Sequence, residues 1–231
     1  MKYYPVNLDL AGRKVLVIGA GTVAHRKAQS LVECGAQVTV VSPKFCAALA
    51  RMKGIRRVQR GYRKTDLRGA CLVISATDSQ AVNRRAWEHG RAAGIPVNVV
   101  DQPELCTFTV PAVCRRGDIV IAISTGGGSP ALSGRIRERI EETITPAFAR
   151  HLDLLRELRI EVRASPLNLE QRGVLLRSMT TDAVREIIER QGVAAARRHL
   201  RRMLADAVAA SEDAARPAPA PPAPRARAAR R

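Results

Sequence analysis

The sequence predicts an α/β fold in which a doubly wound parallel sheet precedes a mostly helical region. Three observations carry that expectation. Lys14 to Ile18 (Lys-Val-Leu-Val-Ile) is a short run of branched apolar residues closed at once by glycine, the pattern of a strand buried on both faces. Between Lys14 and Val41 the chain fits a strand, a glycine turn, a helix and a second strand, the compact unit of a doubly wound sheet. Apolar strands then continue to alternate with helical stretches as far as Ser124.

The elements follow in order. After the first strand, Ala24, Ala28, Leu31 and Val32 recur at helical spacing from about Val23 to Cys34, and Gly35 stands where a left-handed residue would end that helix. Gln37 to Val41 supplies the second strand. Further strands are expected at Arg56 to Gln59, Cys71 to Ser75, Val97 to Val100 and Ile119 to Ile123, with a helix from Ser79 to Ala93 ending near Gly94 and Pro96. Beyond Ser124 the pattern turns helical. Ser129 can cap a helix with Pro130 in its first turn, and Leu132, Ile136 and Ile140 form an apolar stripe along it. Helices are expected over Pro146 to Ile160, Asn168 to Met179 and Asp182 to Ala210. From Ala214 the chain is Ala, Pro and Arg only, a composition that cannot bury a core and is expected to stay disordered.

Of 231 residues 46% are hydrophobic, enough for a sizeable core, yet only 3% are aromatic, so that core must be aliphatic. The formal net charge of +18 would attract polyanions. Its distribution argues against nucleic acid, because Arg216, Arg225, Arg227, Arg230 and Arg231 crowd the tail, with Arg197, Arg198, Arg201 and Arg202 upstream, and no nucleic-acid-binding motif is recognisable. A small polycarboxylated substrate would equally welcome a basic groove. Five cysteines at wide spacings, with no C-x-x-C, suggest a reducing cytoplasm. No signal-type apolar segment or run of membrane-spanning length is present, so no membrane association is expected.

Gly19-Ala20-Gly21-Thr22-Val23-Ala24 matches G-x-G-x-x-G/A in the context that gives this pattern its value, after a buried strand and opening a helix. Gly19 permits the tight turn, Gly21 admits a pyrophosphate close to the backbone, and the amides of Thr22 and Val23 lie at the helix end that attracts anions. A Rossmann-type dinucleotide site is expected here, its alternative being a glycine turn in an unrelated α/β protein. The second strand lacks the usual terminal acid and reads Ser42-Pro43-Lys44 instead. Ser42 can hydrogen-bond a ribose and Lys44 can tolerate a 2′-phosphate, so the residues leave NAD and NADP both open. Asp101 ends a buried strand at the carboxyl edge of the sheet, where a carboxylate can accept a proton as hydride departs. Asp101-Gln102-Pro103-Glu104 is also an excellent turn, so a turn-capping role stands beside the catalytic one. Thr77 and Asn98 are expected to neighbour the cofactor. The glycine-rich Gly126-Gly127-Gly128 loop opens a helix and can bind a second anion, its alternative being a sharp strand-to-helix turn. His25, His89, His151 and His199 are too dispersed for a metal site, and none is expected.

The segments Tyr4-Pro5-Val6-Asn7-Leu8-Asp9-Leu10, Val17 through Lys27, Val40-Val41-Ser42-Pro43, Ser75-Ala76-Thr77-Asp78, Asn98-Val99-Val100-Asp101 and Ser124 through Pro130 together resemble the N-terminal module of siroheme synthases, the precorrin-2 dehydrogenase and sirohydrochlorin ferrochelatase family. They share that family's order and spacing over about the first 145 residues. The resemblance implies NAD-dependent oxidation of precorrin-2 to sirohydrochlorin, with Fe²⁺ insertion to siroheme in some members. It implies Asp101 as the catalytic aspartate, NAD as cofactor, and a homodimer with intertwined subunits. Thr125 matches a position that is serine in some members, where it lies in the tetrapyrrole cleft, and it keeps the hydroxyl. The organisation expected is an NAD(P)-binding Rossmann domain at 1–112, a dimerisation segment at 113–145, a C-terminal helical domain at 146–213 and the tail at 214–231. No counterpart of the methyltransferase half of fused siroheme synthases is expected. The alternative is an NAD(P)-responsive binding or regulatory protein with a basic helical tail.

Overall fold

The computed structural model describes residues 3–215. Its elements run β1 (Lys14–Ile18), α1 (Thr22–Glu33), β2 (Gln37–Val41), α2 (Ala47–Arg51), β3 (Ile55–Val58), β4 (Leu72–Ser75), α3 (Gln80–Ala92), β5 (Val97–Val99), β6 (Ala112–Arg116), β7 (Ile119–Ile123), α4 (Pro130–Thr143), α5 (Pro146–Ala164), α6 (Leu169–Ser178), α7 (Asp182–Gln191) and α8 (Val193–Ala215). Contacts divide the described residues into two units, one from the N-terminal side through 112 together with 123–134, the other of residues 113–122 together with those from 135 onward.

In the first unit β1 to β5 form a parallel sheet in the order β3-β2-β1-β4-β5. The order reverses at β1, so the loop after β1 opens at the switch point where such sheets bind ligands. Alternate residues of the strands supply two cores. Val15, Val17, Val38, Val40 and Ile74 pack with Ala24, Ala28 and Leu31 of α1, whereas Leu16, Ile18, Val41, Val73, Val97 and Val99 pack with Ala86 of α3. Burial on both faces is why these strands read as continuous apolar runs. Ala24 and Ala28 are fully buried, and their small side chains let α1 lie close on the sheet.

The expected strand at Ile119–Ile123 forms, but outside the parallel sheet. It pairs with β6 in a separate two-stranded sheet, and the connection through Gly117 and Asp118 is short enough only for a hairpin. Ile119, Ile121 and Ile123 are half-buried and alternate with exposed Val120 and Ala122, the period of a half-solvated strand. The expected last strand of the large sheet ends at Val99 rather than Val100, which enters a turn.

The second unit is helical and has its own core, in which Ala147, His151, Leu154, Leu158 and Val162 line one side of α5 and meet Leu175, Met179, Val184, Ile188, Ala196 and Leu200. A reciprocal cap begins α6, with Gln171 N donating to Asn168 Oδ1 and Asn168 N donating to Gln171 Oε1, both at 2.9 Å. The single helix expected from Asp182 to Ala210 is two. Gly192, at φ 83°, breaks it into α7 and α8, because a left-handed residue cannot continue a right-handed helix. The α8 helix reaches Ala215, two residues into the expected tail, and Arg216 to Arg231 lie outside the described residues. Arg197 and Arg201 of the basic upstream cluster pair with Glu157 and Glu161 of α5 at 3.0 and 2.7 Å, so half of that cluster is locally neutralised. No helix among the described residues is long and apolar enough to cross a membrane.

His151 makes the second unit sensitive to acid. Its Nε2–H donates to the Met179 carbonyl at 2.8 Å, inside the helical core. Burial, and then the nearby Arg185 guanidinium, hold the imidazole below its ordinary pKa, while the Met179 bond opposes them only in part. The unfolded chain therefore takes up a proton that the folded chain resists, once the pH drops below about 6.5. This stability is present above that pH and is lost as the pH falls toward the lower folded pKa. Between about pH 7.5 and pH 5.5 the melting midpoint of the native chain should fall more steeply than that of His151→Gln, whose amide keeps the donor without titrating. Equal slopes would remove His151 from the account.

Candidate active site

Four loops meet at the carboxyl edge of the large sheet. Gly19 N donates to Val41 O at 2.9 Å, Ala76 N to Ile18 O at 2.8 Å, Val100 N to Ser75 O at 2.9 Å, and Cys46 N to Ala20 O at 3.0 Å. Each bond ties the loop after one strand to its neighbour, so the glycine loop, the 42–46 loop, the 76–79 loop and the turn after β5 form one rim.

At its centre Gly19 has φ 96°, and a Cβ there would stand 2.2 Å from Ala76 O. Only glycine fits. Gly21, at φ −82°, is different, because a Cβ would meet nothing within 4 Å. Its lack of a side chain is demanded by nothing in the protein, and the open approach fits a pyrophosphate. The helical ladder of α1 starts with His25 N donating to Gly21 O at 3.0 Å, and Gly21 brings no side chain to cap the amides of Thr22, Val23 and Ala24. The first turn carries no acidic residue. These features suit a bound diphosphate.

The other predicted residues divide by how far their polar atoms are already engaged. Ser42 is buried and its Oγ donates to Lys44 O at 2.7 Å, closing a turn that leaves Pro43 and Lys44 exposed on the rim. Thr77 is half-buried, and its carbonyl accepts from Asn83 Nδ2 at 3.0 Å. Asn83 also accepts from Ser75 Oγ at 2.7 Å, so a buried amide on α3 fixes the 75–77 segment against Gly19. The cap of α3 is Ser79, which accepts from Val82 N, while Thr77 Oγ1 accepts from Ser79 N at 3.3 Å. Asn98 points its amide at the chain returning past the sheet edge, with Nδ2 donating to Phe108 O at 3.0 Å and to Cys106 Sγ at 3.5 Å. Its observed part is to brace that segment.

Asp101 lies two residues beyond β5, exposed, at the third position of a tight turn closed by Gln102 N donating to Val99 O at 3.3 Å. Its φ is 59°, the single positive value among the described non-glycine residues. That position in a turn of this hand usually belongs to glycine, and aspartate is one of the few other residues that adopt it. The turn expected at Asp101 is present, and it leaves the Asp101 side chain exposed. Lys27 of α1, half-buried, feels that carboxylate. Burial and the Arg26 guanidinium pull the Lys27 ammonium down, while the Asp101 carboxylate pulls it up.

In the 125–129 loop, Thr125 Oγ1 donates to Ser129 O at 3.0 Å and accepts from Ser129 N at 3.2 Å, while Ser129 Oγ caps α4 by accepting from Leu132 N. Gly126 and Gly127 take φ values of 65° and 89°, and a Cβ on Gly128 would press on Thr125 O at 3.2 Å. The strand-to-helix turn is therefore real, and the Thr125 hydroxyl is largely committed to holding it. Among the described residues no three His, Cys, Asp or Glu side chains cluster as metal ligands would.

Residues 6–112 match the family model described as "Putative NAD(P)-binding", and residues 116–143 match that of the "Sirohaem biosynthesis protein central" region. Siroheme synthase of Stutzerimonas stutzeri (strain A1501) is 37% identical over 212 residues, covering 90% of this chain and 45% of its own length. This chain belongs to the siroheme synthase family. It spans less than half the length of these relatives: siroheme synthase of Thioalkalivibrio sulfidiphilus (strain HL-EbGR7), 40% identical over 205 residues, is covered over 42% of its length against 82% of this one. A solved structure, "SirC, precorrin-2 dehydrogenase", superposes with a TM-score of 0.71 at 27% identity, covering 88% of this chain and all of that one. The siroheme synthase module here thus has an NAD(P)-binding domain and the fold of a precorrin-2 dehydrogenase.

Three residues at the rim went unassigned in sequence: Asn83, Lys27 and Cys106. Asn83 carried a weak signal, a polar residue on the apolar face of the helix containing Val82 and Ala86. Lys27 carried none, because Asp101 is brought toward it by the crossovers of the sheet, and Cys106 carried none, because its partners Asn98, Val99 and Gln102 meet it only once the turn after β5 is formed.

Proposed function

We propose that the chain oxidises precorrin-2 to sirohydrochlorin, with NAD⁺ as hydride acceptor, on the route to siroheme. The observation that carries this reading is Asp101, a carboxylate held at positive φ on the same sheet edge as the Gly19–Val23 loop. The siroheme synthase relatives and the likeness to a precorrin-2 dehydrogenase support the substrate. The reaction takes a hydride and a proton from precorrin-2. NAD⁺ supplies the hydride acceptor when bound, becoming NADH. Gly19, Gly21, Thr22 and Val23 receive its diphosphate, Ser42, Pro43 and Lys44 border its adenosine ribose, and Thr77 and Asn98 support the nicotinamide side. Asp101 accepts the proton and returns it to water. The Thr125–Gly128 loop borders a substrate carboxylate through Gly127, since Gly126 N and Gly128 N donate to Ser124 Oγ and Thr125 O.

The same carboxylate can take pyrrole N–H protons as Fe²⁺ enters sirohydrochlorin, so we extend the proposal to a ferrochelatase step with Fe²⁺ as substrate. We also propose a homodimer built through residues 113–145. Val113 and Val120 of the hairpin and Leu132 and Ile136 of α4 are exposed in the single chain, at 39%, 46%, 52% and 37%. The five widely spaced cysteines fit a reducing cytoplasm as its location. Precorrin-2 and NAD⁺ should give NADH together with the sirohydrochlorin spectrum, and a later addition of Fe²⁺ or Co²⁺ should give a second spectral change. NAD⁺ binding without NADH formation would overturn the dehydrogenase; a first stage without the second would overturn only the chelatase.

A further inference from the structure

The turn that carries Asp101 crosses the open edge of the sheet. Val100, on one side, packs in the core beneath α1, whereas Leu105 and Cys106, on the other, pack in the core beneath α3. On this edge β5 has no neighbouring strand in the sheet. Its outward backbone groups are satisfied by the returning 106–107 segment instead, and Thr107 N donates to Val97 O at 2.8 Å. Val97 N donates to Thr107 Oγ1 at 2.8 Å, and Val99 N donates to Cys106 Sγ at 3.2 Å.

Cys106 makes four contacts through one sulfur. Sγ accepts from Val99 N and, at 3.5 Å, from Asn98 Nδ2, and its S–H faces the carbonyls of Val99 and Gln102, each at 3.2 Å. Val99 and Gln102 are the first and last residues of the turn whose third residue is Asp101. The thiol therefore bridges both ends of that turn from beneath. Burial pushes the Cys106 thiol up, with the Glu104 carboxylate adding to it, so at neutral pH the sulfur keeps the proton it needs to donate. A single sulfur hydrogen bond is weak, but three of these contacts reach the two end residues of the turn, and the fourth ties the sulfur to Asn98 of β5.

We propose that Cys106 is a positioning residue for the oxidation: its thiol clamps the Val99–Gln102 turn and holds the Asp101 carboxylate in its left-handed conformation at the sheet edge. This rests on the proton-accepting role proposed for Asp101. The sulfur itself touches no reacting atom, and its effect passes through the turn.

The test compares Cys106→Ser, which keeps a donor and acceptor, with Cys106→Ala and Cys106→Val, which keep neither. Turnover of precorrin-2 with NAD⁺ should fall at least tenfold in kcat for the Ala and Val variants, at nearly unchanged KM for NAD⁺, and Ser should restore it to within about threefold of native. In an Asp101→Asn background, Cys106→Ala should cause no further loss, because the residue through which it acts is already gone. Amide exchange at Val99 and the backbone couplings of Asp101 give a readout independent of turnover. Exchange should quicken, and the positive-φ signature should weaken, in Ala and Val but not in Ser. Native couplings and exchange in folded Cys106→Ala, or a loosened turn with native kcat, would overturn the positioning role. A native chain that fails to oxidise precorrin-2 would overturn the proposed reaction instead, and the exchange and coupling measurements would still decide whether the thiol holds the turn.

Discussion

Asp101→Asn is expected to lower kcat for precorrin-2 oxidation by about 10²–10⁴-fold, the range associated with loss of a positioned proton acceptor. NAD⁺ affinity and melting temperature should barely move. Asparagine has nearly the same shape and is, with aspartate and glycine, among the residues that tolerate left-handed backbone, so φ 59° costs it little. Asp101→Ala separates chemistry from conformation. It removes the same carboxylate and places a less tolerant residue at positive φ, adding a destabilisation of about 1–2 kcal/mol. Asp101→Gly should be as inactive as alanine yet no less stable than the native chain. Steady-state kinetics with precorrin-2, combined with thermal melts of the three variants, checks both halves. Near-native turnover in Asp101→Asn would remove the residue from the chemistry and leave it as a turn former.

Gly19→Ala should have the largest effect on the fold. Its methyl would stand 2.2 Å from the Ala76 carbonyl, at a φ of 96° that alanine rarely adopts. Overpacking against backbone and left-handed strain together cost on the order of 3–5 kcal/mol. For a unit of this size that is a loss of roughly 10–30 °C in the transition of the sheet unit. NAD⁺ binding should disappear with it, because displacing Ala76 also moves the Thr77 segment held by Asn83. Gly21→Ala is the matched contrast. A Cβ there meets no atom of the protein, and the helix-start conformation, φ −82°, is open to alanine. The fold should lose less than about 1 kcal/mol. NAD⁺ affinity should nevertheless fall at least tenfold, about 1.4 kcal/mol, since the methyl occupies the approach of the diphosphate. Calorimetric melts and NAD⁺ titration on the pair test this directly. Equal damage from the two substitutions would contradict the division of labour between the glycines.

Both variants probe features read at different depths. The strand at Lys14–Ile18, the second strand at Gln37–Val41 and the intervening helix were legible because their signals are local: branched apolar runs, helical spacing and glycine at the turns. The glycine loop was legible for the same reason, since a turn and the helix it opens are contiguous in sequence. Asp101 stood out as a carboxylate after a strand, at the head of a turn-forming run, and by its match to the family's aspartate. Its positive φ depends on Val99 and Gln102 closing around it, and on Cys106 five residues further along. The hairpin partner Ala112–Arg116 was missed because Arg115 and Arg116 weaken its apolar alternation. The unbroken helix expected over 182–210 failed because one glycine in a helical pattern is ambiguous until its φ is known.

By itself, then, the chain's sequence determined the order of strands and helices, the dinucleotide loop and the family to which they belong. These rest on interactions between near neighbours and on periodicities that local geometry imposes. Tertiary structure alone decided which strand stood apart as a hairpin, how Asn83 fixes the rim, which helices share Arg and Glu partners, and what holds the Asp101 turn. Those contacts join residues brought together by crossovers and by the free edge of β5, where unpaired backbone groups had to find partners and found the side chains of Cys106 and Thr107.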